Sequence, residues 1–400
     1  MKVVILNTVY NWGSTGYILR DLTAQLRNMD VDALPAASST MGNPAEDAYI
    51  FSNPIAIRLY SWAVRLGWPR FWGSSFSTYK VIRFIKKENP DLVHVHLLNC
   101  TACNMYLLLK WLGKSNIKTV ITHHAELYYT GSCGHSYSCL QFVDNQCINC
   151  PNKKYATGAL IGGNPHKNWL RMKKAFGYFK KENLLFTSVS PWVKSRLALS
   201  PICDQFDCDV VMNGVETGVF YRREVPQTGS LLFVSANFNP ANKDDVKGGW
   251  YLVELAKMMS EQQFVVVATA TSNCENLPSN MHIHGKAKDQ NELAELYSGA
   301  ALTVLTSRRE TFSMICAESL CCGTPIVGFK AGGPETISLP EYSEFVEQGD
   351  VAVLKAVVEK FLAQDYDRNA IAQNAHEVYS KKAMAEGYLA AYKKIMNQNN

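Results

Sequence analysis

No stretch of this 400-residue sequence is poor enough in apolar residues to predict disorder, and it contains neither an internal repeat nor a low-complexity tract. Fibrous, repetitive and natively unfolded proteins are thereby excluded. The opening residues, MKVVILNTVY, lack the long apolar core and small-residue cleavage site of a secretory leader, so a cytoplasmic chain is expected. Residues 92–109 carry no Lys, Arg, Asp or Glu, yet two histidines and two asparagines interrupt them. A buried strand followed by a helix suits them better than a membrane span. Acidic side chains are scarce in the first half: residues 1–190 hold 21 Lys+Arg against 10 Asp+Glu, while residues 191–400 hold 19 against 25. A basic half suits nucleic acid, an anionic membrane or a phosphorylated substrate. No recognised nucleic-acid reader motif accompanies it, so nucleic acid is not an expected partner.

What is present is an ordinary globular composition, 47% apolar and 19% charged, in a chain longer than one core usually serves. Two domains are expected. Apolar, β-branched runs recur at 3–9, 91–97, 118–124, 184–190 and 209–215, then at 230–236, 263–270, 302–307 and 324–330, with helical stretches between them. Continuous apolar runs suit strands buried on both faces, and strand–helix alternation implies parallel sheets. The expected fold class is therefore α/β, with two Rossmann-like doubly wound parallel-sheet domains facing a cleft. The first spans 1–213, a polar hinge occupies 214–229, and the second spans 230–382, with a C-terminal helix at about 383–400 rejoining the first. Ligands in such sheets bind beyond the carboxyl ends of the strands. The loop NWGSTG at 11–16, the histidines at 123–124 and Glu310 should line that crevice. Gly13 and Gly16 let a phosphate or sugar approach the start of the helix that follows.

The stretch SRRETFSMICAESLCCGTP, 307–325, reads as a short helix starting near Ser313, capped at Gly323 and stopped by Pro325. Its first turn offers unpaired amides and the positive end of a dipole. Glu310 and Glu318 flank this anion site. They suit contacts to sugar hydroxyls, and equally a capping carboxylate and a surface glutamate.

The order ETFSMICAE, CGTPIV, AGGPE, supported by NGVETGVF, TSVSPWVKSRL and HIHGKAKDQNELAELYSGAALTVLTS, resembles the retaining nucleoside-diphosphate-sugar glycosyltransferases of family four. The resemblance covers most of the chain. It implies a GT-B fold with the donor held by the second domain: Glu310 on the sugar hydroxyls, Phe312, Ser313 and Met314 on the sugar and diphosphate, Glu318 on the ribose. It also implies that protein cations and helix ends, not a required divalent metal, balance the leaving diphosphate. Lys247 of VKGGW supplies such a cation, whereas Asn237 stands near the place of the usual arginine, which Arg308 or Arg309 could replace. Base recognition is expected around residues 285–288. Within the family, GSTG at 13–16, VHVH at 93–96, THHA at 122–125 and TGSC at 130–133 resemble the colanic-acid, capsule and O-antigen branch. His124 falls on the active-site histidine of that branch, with Ala125 where an aspartate usually follows. His94 and His123 are expected to serve packing or strand-end hydrogen bonds.

Cys133, Cys139, Cys147 and Cys150, spaced C-x5-C-x7-C-x2-C, suit either a structural zinc or four free thiols. The other eight cysteines read as small core residues. Residues 58–87 interleave basic and aromatic side chains, which suits the inner face of an anionic membrane and also a helix pair with its aromatics inside. The resulting expectation is a retaining hexosyltransferase, peripheral on the membrane, that moves a sugar from a nucleoside-diphosphate-sugar to a polysaccharide or oligosaccharide acceptor on a lipid carrier. A sugar-nucleotide epimerase, a small-molecule glycosyltransferase and a non-catalytic binding subunit are the alternatives.

Overall fold

The computed structural model describes residues 1–40, 47–98 and 101–399. The chain forms two compact units, one of residues 1–211 with 384–400 and the other of residues 212–383. The segment 214–229 thus lies within the second unit. No helix among the described residues is long and apolar enough to cross a membrane.

The first unit carries seven strands: β1 Lys2–Tyr10, β2 Asp32–Thr40, β3 Tyr49–Ile50, β4 Leu92–Leu97, β5 Lys118–His123, β6 Leu184–Ser188 and β7 Cys208–Val210. They are parallel and ordered β3-β2-β1-β4-β5-β6-β7. Chain order reverses between β1 and β4, the kind of switch point outside which doubly wound sheets bind ligands. The helix Gly13–Arg27 packs on this sheet through Leu19, Leu22 and Leu26, whose spacing puts them on one face. The helix Lys381–Met396 adds Tyr388, Tyr392 and Ile395 to the same core.

The second unit carries β8 Leu231–Phe238, β9 Phe264–Thr271, β10 Met281–Gly285, β11 Leu302–Leu305, β12 Ile326–Phe329 and β13 Ser343–Val346, parallel and ordered β10-β9-β8-β11-β12-β13. Its switch point lies between β8 and β11. These two strands pair only at Leu231–Leu302 and Leu232–Thr303, although β8 continues to Phe238. Beyond that pairing no ladder bonds join them, and the chain segments that follow carry the candidate site.

The expected α/β architecture of two doubly wound parallel sheets is the observed one. Four strands, β2, β3, β10 and β13, lie outside the apolar runs. Three are edge strands. β2 is built from small residues and contains Pro35, which pairs with Ile5, while its outer neighbour β3 pairs only with Ala36 and Ala37. A proline is tolerated there because the far side is nearly an edge. Of the run 209–215 only Asp209 and Val210 join a strand, β7. The glycines of NWGSTG are not a loop before the helix but its first turn, from Gly13.

Candidate active site

The site of the second unit starts at Lys247. The next residue, Gly248, has φ +73°, and a Cβ on it would lie 2.0 Å from the carbonyl oxygen of Thr306. Only glycine fits, because this backbone is pressed against the end of β11. The Thr306 hydroxyl donates to the carbonyls of Lys247 and Gly248, at 3.2 and 2.9 Å. Arg308 pairs with Asp244 at 2.9 Å, and its amide donates to the Val246 carbonyl. Arg308 therefore steadies the loop that carries Lys247. Asn237 is exposed near the end of β8, its amide donating to Ser235 Oγ.

So held, Lys247 places Nζ 2.7 Å from Glu310 Oε1. Glu310 is itself fixed through its backbone: its amide donates to the Ala331 carbonyl, and its carbonyl accepts from the Gly333 amide at 2.7 Å. A Cβ on Gly333 would stand 2.5 Å from the Thr311 carbonyl carbon, so the 331–333 turn lies flush against the 310–312 segment. The carboxylate of Glu335 accepts from the amides of Ala331 and Gly332 and shapes that turn. Glu335 thereby orients Glu310 from behind. Its role was not assigned from the sequence, although the AGGPE spacing was visible.

Phe312 is buried, and Ser313 sits at φ +89°, a costly conformation for a residue with a side chain. Ser313 Oγ accepts from the Cys316 amide at 3.3 Å and caps the helix Met314–Cys321. The amides at the very start of this helix have no intrahelical acceptor and can serve an anion. Glu318, partly buried on the same helix, accepts from the Tyr297 hydroxyl at 3.3 Å. Burial pushes its carboxyl pKa up to about 8, with the Tyr297 hydrogen bond opposing that rise. Lys247, Glu310, Phe312, Ser313, Met314 and Glu318 thus share one region, at the carboxyl ends of β8 and β11. Next to a lysine, a fixed carboxylate and unpaired amides can bind a polyol joined to a phosphate.

The other candidate residues belong to the first unit. His124 follows β5, and its Nε2 lies 3.1 Å from Nε2 of His96 at the end of β4. Burial lowers the His124 pKa to about 4 and holds His96 well below its usual value, His124 adding to the effect on His96. Both rings are neutral at physiological pH. His96, absent from the sequence-derived candidates though present in VHVH, supplies a partner to the ring that Ala125 cannot. Nδ1 of His96 has no hydrogen-bond partner among the described residues. An unsatisfied lone pair is the cheaper vacancy, so His96 carries its proton on Nε2 and donates to His124. His94 is bonded at both nitrogens, to the Tyr392 and Thr122 hydroxyls at 2.7 Å each. His123 packs among Tyr128, Tyr129 and Phe186. Gly13 has φ +63° with open space where a Cβ would be, whereas a Cβ on Gly16 would lie 3.1 Å from the Val9 side chain, so Gly16 serves helix–strand packing.

Cys133, Cys139, Cys147 and Cys150 form no disulfide and their thiolate charges would repel one another, and burial and that repulsion push the Cys147 thiol up to about 12. Among the described residues no group of three or more His, Cys, Asp or Glu side chains is arranged to hold a metal ion. The surrounding loop is tied down by Glu126, which accepts from the amide and hydroxyl of Ser136 and pairs with Arg196 at 3.1 Å. Of the remaining cysteines, Cys103, Cys203, Cys316, Cys321 and Cys322 are buried, Cys208 and Cys274 only partly so, and Cys100 lies outside the described residues.

Known proteins share this arrangement of chain. Sucrose-phosphate synthase from Thermosynechococcus elongatus superposes with a TM-score of 0.65 at 15% identity, over 98% of both chains. Anabaena Alr3699/HepE, solved in complex with UDP, gives 0.63 at 13% identity, over 98% of this chain and 100% of that one. In sequence, N-acetyl-alpha-D-glucosaminyl L-malate synthase of Bacillus anthracis is 23% identical over 79% of this chain and 77% of its own. The MMP alpha-(1->4)-mannosyltransferase of Mycolicibacterium hassiacum is 27% identical over 47% and 48%. Residues 269–378 match the family described as glycosyl transferases group 1, which takes in Glu310, Glu318 and the 331–335 turn. Residues 16–219, more than half of the chain, match Glycosyltransferase Family 4, and with a group 1 match following it this chain is a glycosyltransferase belonging to family 4.

Proposed function

We propose that the protein transfers a hexose from a nucleoside diphosphate to a polysaccharide or oligosaccharide acceptor on a lipid carrier, with retention of anomeric configuration. The observation that carries this reading is the 2.7 Å Lys247–Glu310 pair beside the amides that open the helix Met314–Cys321. The bond from the anomeric carbon to the diphosphate oxygen breaks. The bond to the acceptor oxygen forms on the same face, and the acceptor proton passes to the departing phosphate oxygen. No protein nucleophile takes part. Lys247 and the helix amides take up charge as it grows on the diphosphate, which is where fixed cations and dipoles lower a barrier most. Glu310, paired with Lys247, accepts from donor-sugar hydroxyls and fixes the anomeric carbon for attack. His124, neutral and oriented by His96, serves to position rather than to transfer a proton. No divalent metal is assigned a part.

The test is turnover of a panel of nucleotide sugars by the purified protein, with and without membrane extract, and the anomeric configuration of the product read by NMR. Retention with transfer is expected; inversion, or tight donor binding without turnover or hydrolysis, refutes the reading. Glu310→Gln should lower turnover by about 100-fold or more, and Lys247→Ala should chiefly weaken donor binding.

A further inference from the structure

The helix Pro54–Arg65 is turned inside out for a protein surrounded by water. Of its twelve residues only Val64 is buried. Ile55, Leu59 and Trp62, spaced to lie along one face, are 71%, 65% and 61% exposed, and Leu66 continues the stripe at 69%. The helix Ser75–Glu88 adds Phe76 and Tyr79, 70% and 60% exposed. A second segment joins them: the amides of Leu160 and Ile161 donate to the Arg65 carbonyl, and Arg70 donates to the Ala156 carbonyl. Leu160 and Ile161 are themselves 65% and 69% exposed. Half of the exposed bulky apolar side chains, 11 of 22 among the described residues, fall within 55–79 and 155–161. Such concentration marks an interaction surface rather than scattered exposure.

The charge around it selects the partner. Residues 48–87 and 145–181 contain no Asp or Glu but seven and eight Lys+Arg. Cations stand over the aromatic rings themselves: Arg65 over Trp62 at 5.2 Å, Lys80 over Phe76 at 4.9 Å and Arg171 over Trp72 at 5.3 Å. A second copy of this face would set like charges against each other, and nucleic acid has no use for exposed Ile55, Leu59, Leu160 and Ile161. An anionic bilayer satisfies both parts, the apolar groups entering the headgroup boundary while Lys and Arg meet lipid phosphates.

We infer that this face of the first unit docks on the surface of a membrane containing anionic phospholipid. The inference extends the reading of a lipid-linked acceptor, yet its test needs neither acceptor nor donor. The full chain is sedimented with vesicles of phosphatidylglycerol and phosphatidylcholine in equal parts, and with phosphatidylcholine alone. Partition onto the mixed vesicles should be about tenfold or more stronger, fall with salt, and shift Trp fluorescence to the blue. Leu59→Ser with Trp62→Ser should reduce partition about tenfold while leaving the melting temperature as in the wild type. Equal binding to both vesicle types, or binding untouched by the double variant, overturns the inference. So does lipid-free self-association that the same variant abolishes, because the face then belongs to a second copy. Vesicle binding without sugar transfer would leave the docking face standing and remove the proposed function, so the two fail separately.

Discussion

Glu318 is a carboxyl held against its preference for charge. Burial raises its pKa to about 8, so in the free protein at neutral pH it is largely protonated. The unfolded chain ionises the same group near pH 4.5. Stability from this carboxyl is therefore fully present below about pH 4.5 and is lost as pH rises towards 8. Glu318→Gln should leave the melting temperature unchanged near pH 4 and raise it near pH 8. If Glu318 holds a ribose, the same variant should also shrink the thermal shift produced by a nucleoside diphosphate. A variant that lowers the melting temperature at pH 8 would contradict the assignment of an unfavourable buried acid. The residue's place was legible because Glu310 and Glu318 keep a fixed spacing around one helix start. The state of its proton was not, since that depends on Tyr297, twenty-one positions earlier, and on packing that no local pattern records. His96 escaped for a similar reason: its importance arises from a contact with His124 across two neighbouring strands.

Elements were legible where burial is two-sided and obscure where it is not. The interior strands β1, β4, β5, β6, β8, β9, β11 and β12 announce themselves as apolar runs, because both faces meet helices, whereas the interior strand β2, built from small residues, does not. The edge strands β3, β10 and β13 meet neighbours on one side only and need no such run. The same distinction governs glycines at helix starts. Gly248 and Gly13 both have positive φ, but only Gly248 faces a wall, the Thr306 carbonyl at 2.0 Å from a hypothetical Cβ. Gly13→Ala should cost about 1 kcal/mol, the backbone penalty alone. Gly248→Ala must also push the 245–248 loop off β11, so it should cost more than about 2 kcal/mol and carry Lys247 away from Glu310. Urea denaturation of both variants, with donor affinity measured on each, checks the ordering. Equal costs would mean that the approach to Thr306 is not a constraint on the site.

For the whole molecule, a buried histidine cluster ties the stability of the first unit to pH. His94, His96, His123 and His124 are buried in the first unit, the first and third lowered to about 3 and the fourth to about 4, with burial the main cause in each. A histidine whose folded pKa is depressed binds protons more readily when unfolded. It stabilises the fold above its unfolded value near 6.5, and that stability is lost as pH falls towards the folded value. Each such ring contributes a slope of up to about 1.4 kcal/mol per pH unit below 6.5, so this cluster lowers the stability of the first unit as pH falls. His123 isolates the effect. Neither of its ring nitrogens has a hydrogen-bond partner among the described residues, and its neighbours Tyr128, Tyr129 and Phe186 form an aromatic box. His123→Leu removes two unsatisfied polar atoms and the titration with them. The variant's stability relative to wild type should therefore grow by about 2 kcal/mol between pH 7.5 and pH 5, read from denaturant unfolding at each pH. A constant difference across that range would mean that His123 takes up its proton in the folded state with a pKa near 6.5, and that the box admits water.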